Sequence, residues 1–169
     1  DLTLRHGDTL AGPGWHLRAV HTPGHMGNHL SFQWLEQGAL FCGDVVLGWA
    51  STLISPPEGD LTDYLRSLAV IEALAPSRLL PAHGGEVADV AGRLTELAAH
   101  RRQRSAEILT ALDHGPADAA ALAARIYDIG PELLPAAARN VLAHLLALAA
   151  IGAVNCIEGS GAYAKYARL

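Results

Sequence analysis

The sequence predicts an α/β protein built in two parts, a strand-rich part followed by a helical part. Three observations support this fold class. Residues 1–87 alternate between short apolar segments and loops that contain Gly and Pro. From about residue 88 the composition changes to Ala- and Leu-rich helical patterns. The chain then ends in two strand-like segments around the turn at residues 158–161, so three helices followed by a hairpin give a winged-helix pattern.

The strand-rich part contains four segments with the character of β-strands. They are Trp15–His21, Leu30–Leu35, Gly38–Cys42 and Arg78–Pro81, and each ends in or near a loop that contains Gly or Pro. Between the third and the fourth strand, Asp60 starts a helical pattern whose apolar residues recur at helical spacing. This order of elements is typical of a sheet covered by helices.

The helical part is predicted to contain three helices and a hairpin. The helices are Val90–Leu112, Ala117–Ile126 and Pro135–Ala150, and the hairpin strands are 152–157 and 162–169. Gly115-Pro116 interrupts the pattern after the first helix. We place the domain boundary within the long helix, which gives one domain at residues 1–99 and a winged-helix-like domain at residues 100–169.

Composition narrows the classes of function. The 169 residues carry a formal net charge of −5, which is not typical of a general nucleic-acid or membrane-surface binder. Cys42 and Cys156 form no CxxC motif, and together with the absence of a signal sequence they indicate a reducing, cytoplasmic location. No apolar run is long enough to span a membrane. The first residues resemble the middle of a protein, so we expect the chain to be a fragment of a longer one.

Potential metal ligands follow three of the predicted strands. They lie in the segments HTPGHMGNH (residues 21–29), FCGD (41–44) and LLPAHGG (79–85), each beside glycines that permit tight turns. Imidazole nitrogens and carboxylate oxygens are ligands that zinc, manganese and iron accept. A single His after a strand is as often structural as it is a ligand, so spacing alone leaves both interpretations open.

These three segments closely resemble, in the same order, the third, fourth and fifth metal motifs of the metallo-β-lactamase superfamily. The segment GWASTLISPPEGDLTDYLRSL (48–68) and the helical tail are similar to a hydrolase branch of that superfamily with an appended winged helix. The resemblance covers nearly the whole chain. It implies that residues 1–99 form the C-terminal half of an αββα sandwich, with the winged-helix-like domain after it.

The resemblance also implies a dinuclear metal site with two divalent ions, zinc in the first place and manganese or iron as alternatives. By motif position, His25 would ligate the first ion, Asp44 would bridge both ions as the catalytic carboxylate, and His83 would ligate the second ion. For His29 we expect a contact behind the ligands or toward the substrate. Trp49, in the loop after Asp44, is a candidate for the wall of the substrate pocket. The preceding histidine of the first motif, His21, is expected to be structural.

One motif of that superfamily is missing from this chain. The HxHxDH motif supplies the remaining ligands and has no counterpart here. We therefore expect weak metal binding by the isolated chain, because three ligands shared by two ions leave each ion with too few. Half a sandwich also leaves one sheet face without cover, so we expect a homo-oligomer or association with the missing N-terminal half.

The implied function is metal-dependent hydrolysis, in which a metal-bound hydroxide attacks an ester, thioester, lactone or phosphodiester of a small-molecule substrate. One alternative is an endoribonuclease of the same fold, with RNA as the partner. Arg101, Arg102 and Arg104 could contact phosphate in that case, although such a cluster is more often a solvated helix face, and the tail lacks a net basic character. A second alternative is a non-catalytic fragment or dimerisation module. Substrate identity does not follow from fold and metal motifs.

Overall fold

A five-stranded sheet organises the first part of the computed structural model, which describes residues 2–169. The strands pair in the order β1-β2-β3-β4-β5, antiparallel except for the parallel pair β4–β5. The last two strands, β6 and β7, form a separate antiparallel hairpin. The elements are β1 Thr9–Gly12, β2 Trp15–His21, β3 Leu30–Trp34, β4 Ala39–Gly43, α1 Leu61–Leu74, β5 Arg78–Pro81, α2 Val90–Leu112, α3 Ala119–Ile126, α4 Leu134–Ala150, β6 Val154–Glu158, a 3₁₀ turn Gly161–Tyr163 and β7 Lys165–Arg168.

These elements confirm the α/β class. Strand β2 and helix α2 have the predicted bounds, whereas β1 was not identified because its four residues, TLAG, carry little apolar pattern. Helix α3 begins at Ala119 rather than at Ala117, since the Asp118 side chain accepts the backbone N–H of Ala121 (2.8 Å) and caps the helix.

The two faces of the five-stranded sheet differ in burial. Val20, Leu40 and Leu79 are on the buried face, and the buried apolar side chains of α1 after Leu61 and of the start of α2 belong to the same compact unit. The register places Leu17 beside Trp34 and Phe32 beside Phe41 on the other face.

This second face is apolar and only partly covered by the described residues. The rings of Trp34 and Phe41 stack with centroids 6.0 Å apart, and Phe41 remains 38% exposed. Together with Trp15 and Leu17 they line an apolar hollow of about 170 Å³. An exposed cluster of large aromatic side chains is unusual on a soluble monomer. The face therefore has the character expected of the inner side of a sandwich layer.

The described residues form two compact units. One contains the residues up to Thr52 together with Thr62–Ala98, and the other contains Leu53–Leu61 together with Ala99–Leu169. A segment of the loop before α1 packs with the helical tail, which was not predicted from the sequence. Ile54 is fully buried there, and Arg139 donates a hydrogen bond to the Ser55 hydroxyl (2.9 Å).

The second unit has its own apolar core. It is made by the facing sides of α3 and α4 with the end of α2, and its largest members are Ile108, Leu122, Val141, Leu145 and Leu148. Tyr166 from β7 closes the core, and Ala117 forms an isolated bridge with it. This unit has the helix order and the hairpin expected of a winged helix.

The basic residues of α2 do not form the solvated helix face that we expected. Arg101 is 1% exposed and donates to the Asn140 side chain of α4 (3.0 Å). Arg104 pairs with Glu107 (2.8 Å) and lies over the Tyr127 ring. Asn140 of α4 thus holds Arg101, whereas Arg104 pairs within its own helix α2, and these contacts leave two of the three arginines outside an exposed basic face.

Candidate metal centre

The topology brings the three ligand-bearing loops to one edge of the sheet. Strands β4 and β5 are parallel, and β2 has the same direction because two antiparallel pairings separate it from β4. The loops after β2, β4 and β5 therefore leave the sheet at the same edge. His25 lies in the first loop, Asp44 directly follows β4, and His83 lies two residues after β5.

Asp44 and His83 are in contact at this edge. Asp44 Oδ1 lies 3.6 Å from His83 Nε2, beyond hydrogen-bond distance. The same carboxylate oxygen is buried, and nothing among the described residues hydrogen-bonds to it. A buried carboxylate oxygen without a donor is costly, so the local structure favours a positive charge beside it.

This geometry suits two ligands of one cation. Two atoms each ~2 Å from a zinc ion, at a ligand–metal–ligand angle of about 120°, are roughly 3.5 Å apart. Carboxylate oxygen and imidazole nitrogen are both donors that such an ion accepts. The Asp44–His83 pair thus fits a divalent metal by chemistry, by spacing and by its unsatisfied oxygen.

His25 is held in the loop after β2 by a hydroxyl group. Its Nδ1 lies 3.2 Å from Thr52 Oγ1, and Thr52 is 4% exposed. A bond at Nδ1 fixes the ring plane and presents Nε2 as the second nitrogen. Among residues 2–169, however, no three His, Cys, Asp or Glu side chains form a group that could hold a metal. The assignment of His25, Asp44 and His83 as ligands therefore remains a prediction.

His29 supports Asp44 from behind. The backbone N–H of Asp44 points to His29 Nε2 at 3.4 Å, and His29 Nδ1 lies 3.0 Å from the Thr22 hydroxyl. Since Nε2 accepts, the proton of the neutral ring is on Nδ1. Burial, followed by the nearby His25, lowers the pKa of His29, which keeps the ring neutral and able to accept. Its contacts are those of a residue that holds the Asp44 turn.

Gly43 makes this arrangement sterically accessible. Its φ of +54° is in the left-handed region, and a Cβ there would collide with His29 Nε2. The neighbouring Cys42 is fully buried, and its thiol donates to the Val46 carbonyl (3.4 Å). Burial raises the pKa of Cys42 to about 12, so its thiol is neutral at pH 7.

The remaining candidates lie at the rim of this edge or behind it. Trp49 is 74% exposed and its indole lies next to Gly84, the residue after His83. His21 bonds through Nε2 to the Gly27 carbonyl (2.8 Å) and so closes the loop that carries His25.

Two supporting residues, Thr52 and Arg93, were not predicted from the sequence; the Arg93 guanidinium donates to the Leu47 carbonyl (3.0 Å). Thr52 lies in a loop of small polar residues, and Arg93 is one of several basic residues on α2. Neither residue carried a signal that would distinguish it, because each acts through a partner distant in sequence.

Comparisons with known proteins agree with this architecture. Residues 1–83 match the model of the metallo-β-lactamase superfamily, and residues 119–160 match the β-lactamase associated winged helix domain. The chain is 34% identical over 146 residues to a β-lactamase-like protein 2 homolog of Drosophila melanogaster, which covers 84% of this chain and 48% of the relative. It is also 34% identical over 110 residues to an atrochrysone carboxyl ACP thioesterase of Paecilomyces divaricatus, covering 65% of this chain and 34% of that protein.

Among solved structures, a metallo-β-lactamase family protein from Thermus thermophilus superposes with a TM-score of 0.87 at 34% identity. The match covers 99% of this chain and 54% of that protein. The chain spans about half the length of the β-lactamase-like protein 2 homologs that it matches and about a third of the fungal thioesterase. No helix formed by residues 2–169 meets the length and hydrophobicity needed to cross a membrane.

Proposed function

Since the chain carries a metallo-β-lactamase superfamily domain followed by a β-lactamase-associated winged helix domain, we propose that it is part of a metal-dependent hydrolase of ester or thioester bonds. The observation that carries the proposal is the buried, unpartnered Asp44 Oδ1, 3.6 Å from His83 Nε2 at the edge where the ligand loops meet. The superfamily is generally hydrolytic and its members typically bind divalent metal ions.

Asp44 and His83 would hold the cation, and His25 would join them from the loop after β2. Zinc suits these donors best, with manganese or iron as alternatives, and the proposed full site contains two ions. When bound, such ions supply Lewis-acid stabilisation of negative charge and activation of water. Among the described residues, His29 and Gly43 fix the direction of Asp44, and Thr52 fixes the ring of His25.

The proposed substrate is a small acyl compound. The fungal relative named as an acyl carrier protein thioesterase supports cleavage of a thioester or a related acyl bond. An endoribonuclease is the weaker alternative, because Arg101 is buried and Arg104 is paired with Glu107. Those two arginines therefore do not form an exposed basic groove for RNA.

The test is a substrate panel with metal analysis. The chain alone and the full protein that its gene encodes are both assayed after loading with zinc, manganese or iron. An acyl thioester, a lactone and an RNA oligonucleotide are offered to the wild type and to Asp44→Asn. We expect metal-dependent thioester or lactone hydrolysis that Asp44→Asn abolishes.

RNA cleavage in place of acyl hydrolysis would favour the alternative. Absence of all three activities in the metal-loaded full protein would refute the proposal and favour a non-catalytic binding or dimerisation role.

A further inference from the structure

The loop after Asp44 is fastened at both sides although it carries an exposed tryptophan. On one side, the Gly48 N–H donates to the His83 carbonyl (3.0 Å). On the other side, the Arg93 guanidinium of α2 donates to the Leu47 carbonyl (3.0 Å) and to the Ala50 carbonyl (2.7 Å). These two carbonyls flank Gly48-Trp49, so the loop is fixed directly before and after the indole.

The backbone of the loop packs closely against the backbone on the His83 side. A Cβ on Gly48 would collide with the Gly85 backbone, and a Cβ on Gly84 would lie 2.7 Å from Trp49 Cδ1. The two glycine segments are thus in direct contact, and one edge of the indole lies on Gly84. The rest of the ring faces solvent, since Trp49 is 74% exposed.

The Arg93 side chain is mostly buried where it contacts this loop. It is only 14% exposed, and its second terminal nitrogen pairs with the exposed Glu96 (2.8 Å). A planar guanidinium can reach two carbonyls and a carboxylate at once, which a lysine cannot do with the same geometry. Because the buried guanidinium donates to backbone carbonyls, Arg93 orders one loop and adds little to the surface charge.

We propose that Arg93 is a positioning residue that holds Trp49 as a fixed apolar platform at the rim of the Asp44–His83 edge, for the acyl chain of the substrate. The inference rests on the proposed acyl hydrolase function. An indole that is already ordered binds an apolar group without the entropic cost of ordering the loop.

Charge favours an acyl chain over a nucleic acid on this platform. The Arg93 guanidinium is bound to two carbonyls and Glu96, so its positive charge is not available to hold a phosphate beside the ring. Polyanions need free cations near the ring, whereas a neutral acyl chain needs only the apolar surface.

Binding is tested by ¹⁹F NMR of the chain labelled with 5-fluorotryptophan. Trp49→Phe assigns the Trp49 signal, and the signals of Trp15 and Trp34 report whether the sheet remains folded. Octanamide serves as a neutral, non-hydrolysable acyl probe. We expect a saturable shift of the Trp49 signal. A shift confined to Trp15 and Trp34, or a stronger response of Trp49 to a tetra-adenylate, would overturn the platform.

Three variants test the role of Arg93. Arg93→Met should broaden or shift the Trp49 signal and weaken octanamide binding by roughly fivefold. Arg93→Lys should fall between Arg93→Met and the wild type. The matched control Glu96→Gln removes the exposed partner and keeps both carbonyl contacts, so it should behave like the wild type. An unchanged Trp49 signal and affinity in both Arg93 variants would refute the positioning role.

Kinetics separate this inference from the proposed function. With octanoyl and acetyl thioesters of N-acetylcysteamine, Arg93→Met should lower the preference for the octanoyl compound by roughly fivefold, through KM. Equal loss on both thioesters would contradict the platform. Octanamide binding at Trp49 in a metal-loaded full protein that hydrolyses neither thioester would instead refute the proposed function and leave the apolar platform intact.

Discussion

The stability of the helical unit should fall in mild acid because of one buried histidine. His144 of α4 is fully buried; its Nδ1 lies 2.9 Å from the Ser105 hydroxyl, and its Nε2 has no hydrogen-bond partner among the described residues. Burial, together with the positive charges of Arg101 and Arg104, lowers the pKa of His144 to about 3. The folded unit therefore excludes the proton that the unfolded chain binds.

The size of this loss of stability follows from the pKa of His144 in the folded and in the unfolded state. In the unfolded chain the pKa is the ordinary 6.5, so between pH 6.5 and about 3 only the unfolded state is protonated at His144. Stability then rises with pH, by ~1.4 kcal/mol per pH unit. The stability that depends on a neutral His144 is fully present above pH 6.5 and is lost as the pH falls toward 3. Between pH 7 and pH 5 the loss is about 2 kcal/mol.

The assay is urea unfolding of the full chain at pH 7 and pH 5, followed by hydrogen exchange of the α4 amides. His144→Asn removes the titrating group, and His114→Gln removes an exposed histidine as a control. The wild type and His114→Gln should both lose about 2 kcal/mol more than His144→Asn over this range. An equal loss in all three proteins would refute the assignment of the acid sensitivity to His144.

The other predictions concern the site and the apolar face. Asp44→Asn and His83→Ala should each lower the affinity for zinc, measured by calorimetry, at least ~10-fold. A variant that binds zinc with the wild-type affinity would show that the substituted residue is not a ligand. Thr52→Val should weaken it ~10-fold by freeing the His25 ring, while Thr52→Ser should not; equal affinities of the two variants would exclude a role for the hydroxyl. Phe41→Lys should reduce the self-association of the isolated chain in sedimentation, and a wild type that sediments as a stable 17.7 kDa monomer would show that the exposed face needs no cover.

The strands and helices were predictable where local pattern and tertiary environment agree. Strand β2 alternates and stops at His21-Thr22-Pro23-Gly24, and helix α2 has a long uninterrupted helical pattern, so both were assigned with their observed bounds. Strand β1 has too few apolar residues to be recognised, and it is stabilised by its pairing with β2. The burial of Ile54 with the second unit depends on tertiary packing that leaves no periodic signal in a loop.

The polar residues of α2 and α4 show a second limit of what the sequence alone can predict. Asn140 and His144 are four residues apart in α4 and therefore lie on one helix face, and Arg101 lies on α2. A polar helix face of this kind can be exposed to solvent or can contact another helix in the interior. Only the packing decides, and here Arg101 meets Asn140 while His144 meets Ser105. Asn140 and His144 of α4 therefore each have a polar partner in the interior of the unit.

The residues of the candidate site are of two kinds, the candidate metal ligands and the residues that hold them in place. Metal ligands must be His, Cys or a carboxylate, so Asp44 and His83 stand out in the sequence as soon as their strands are recognised. Supporting residues have no such chemical restriction. Arg93 acts on two backbone carbonyls more than forty residues away, and any sequence at those positions would offer the same oxygens. Residues that bind backbone therefore escape motif analysis, and they are the ones that this structure adds to the site.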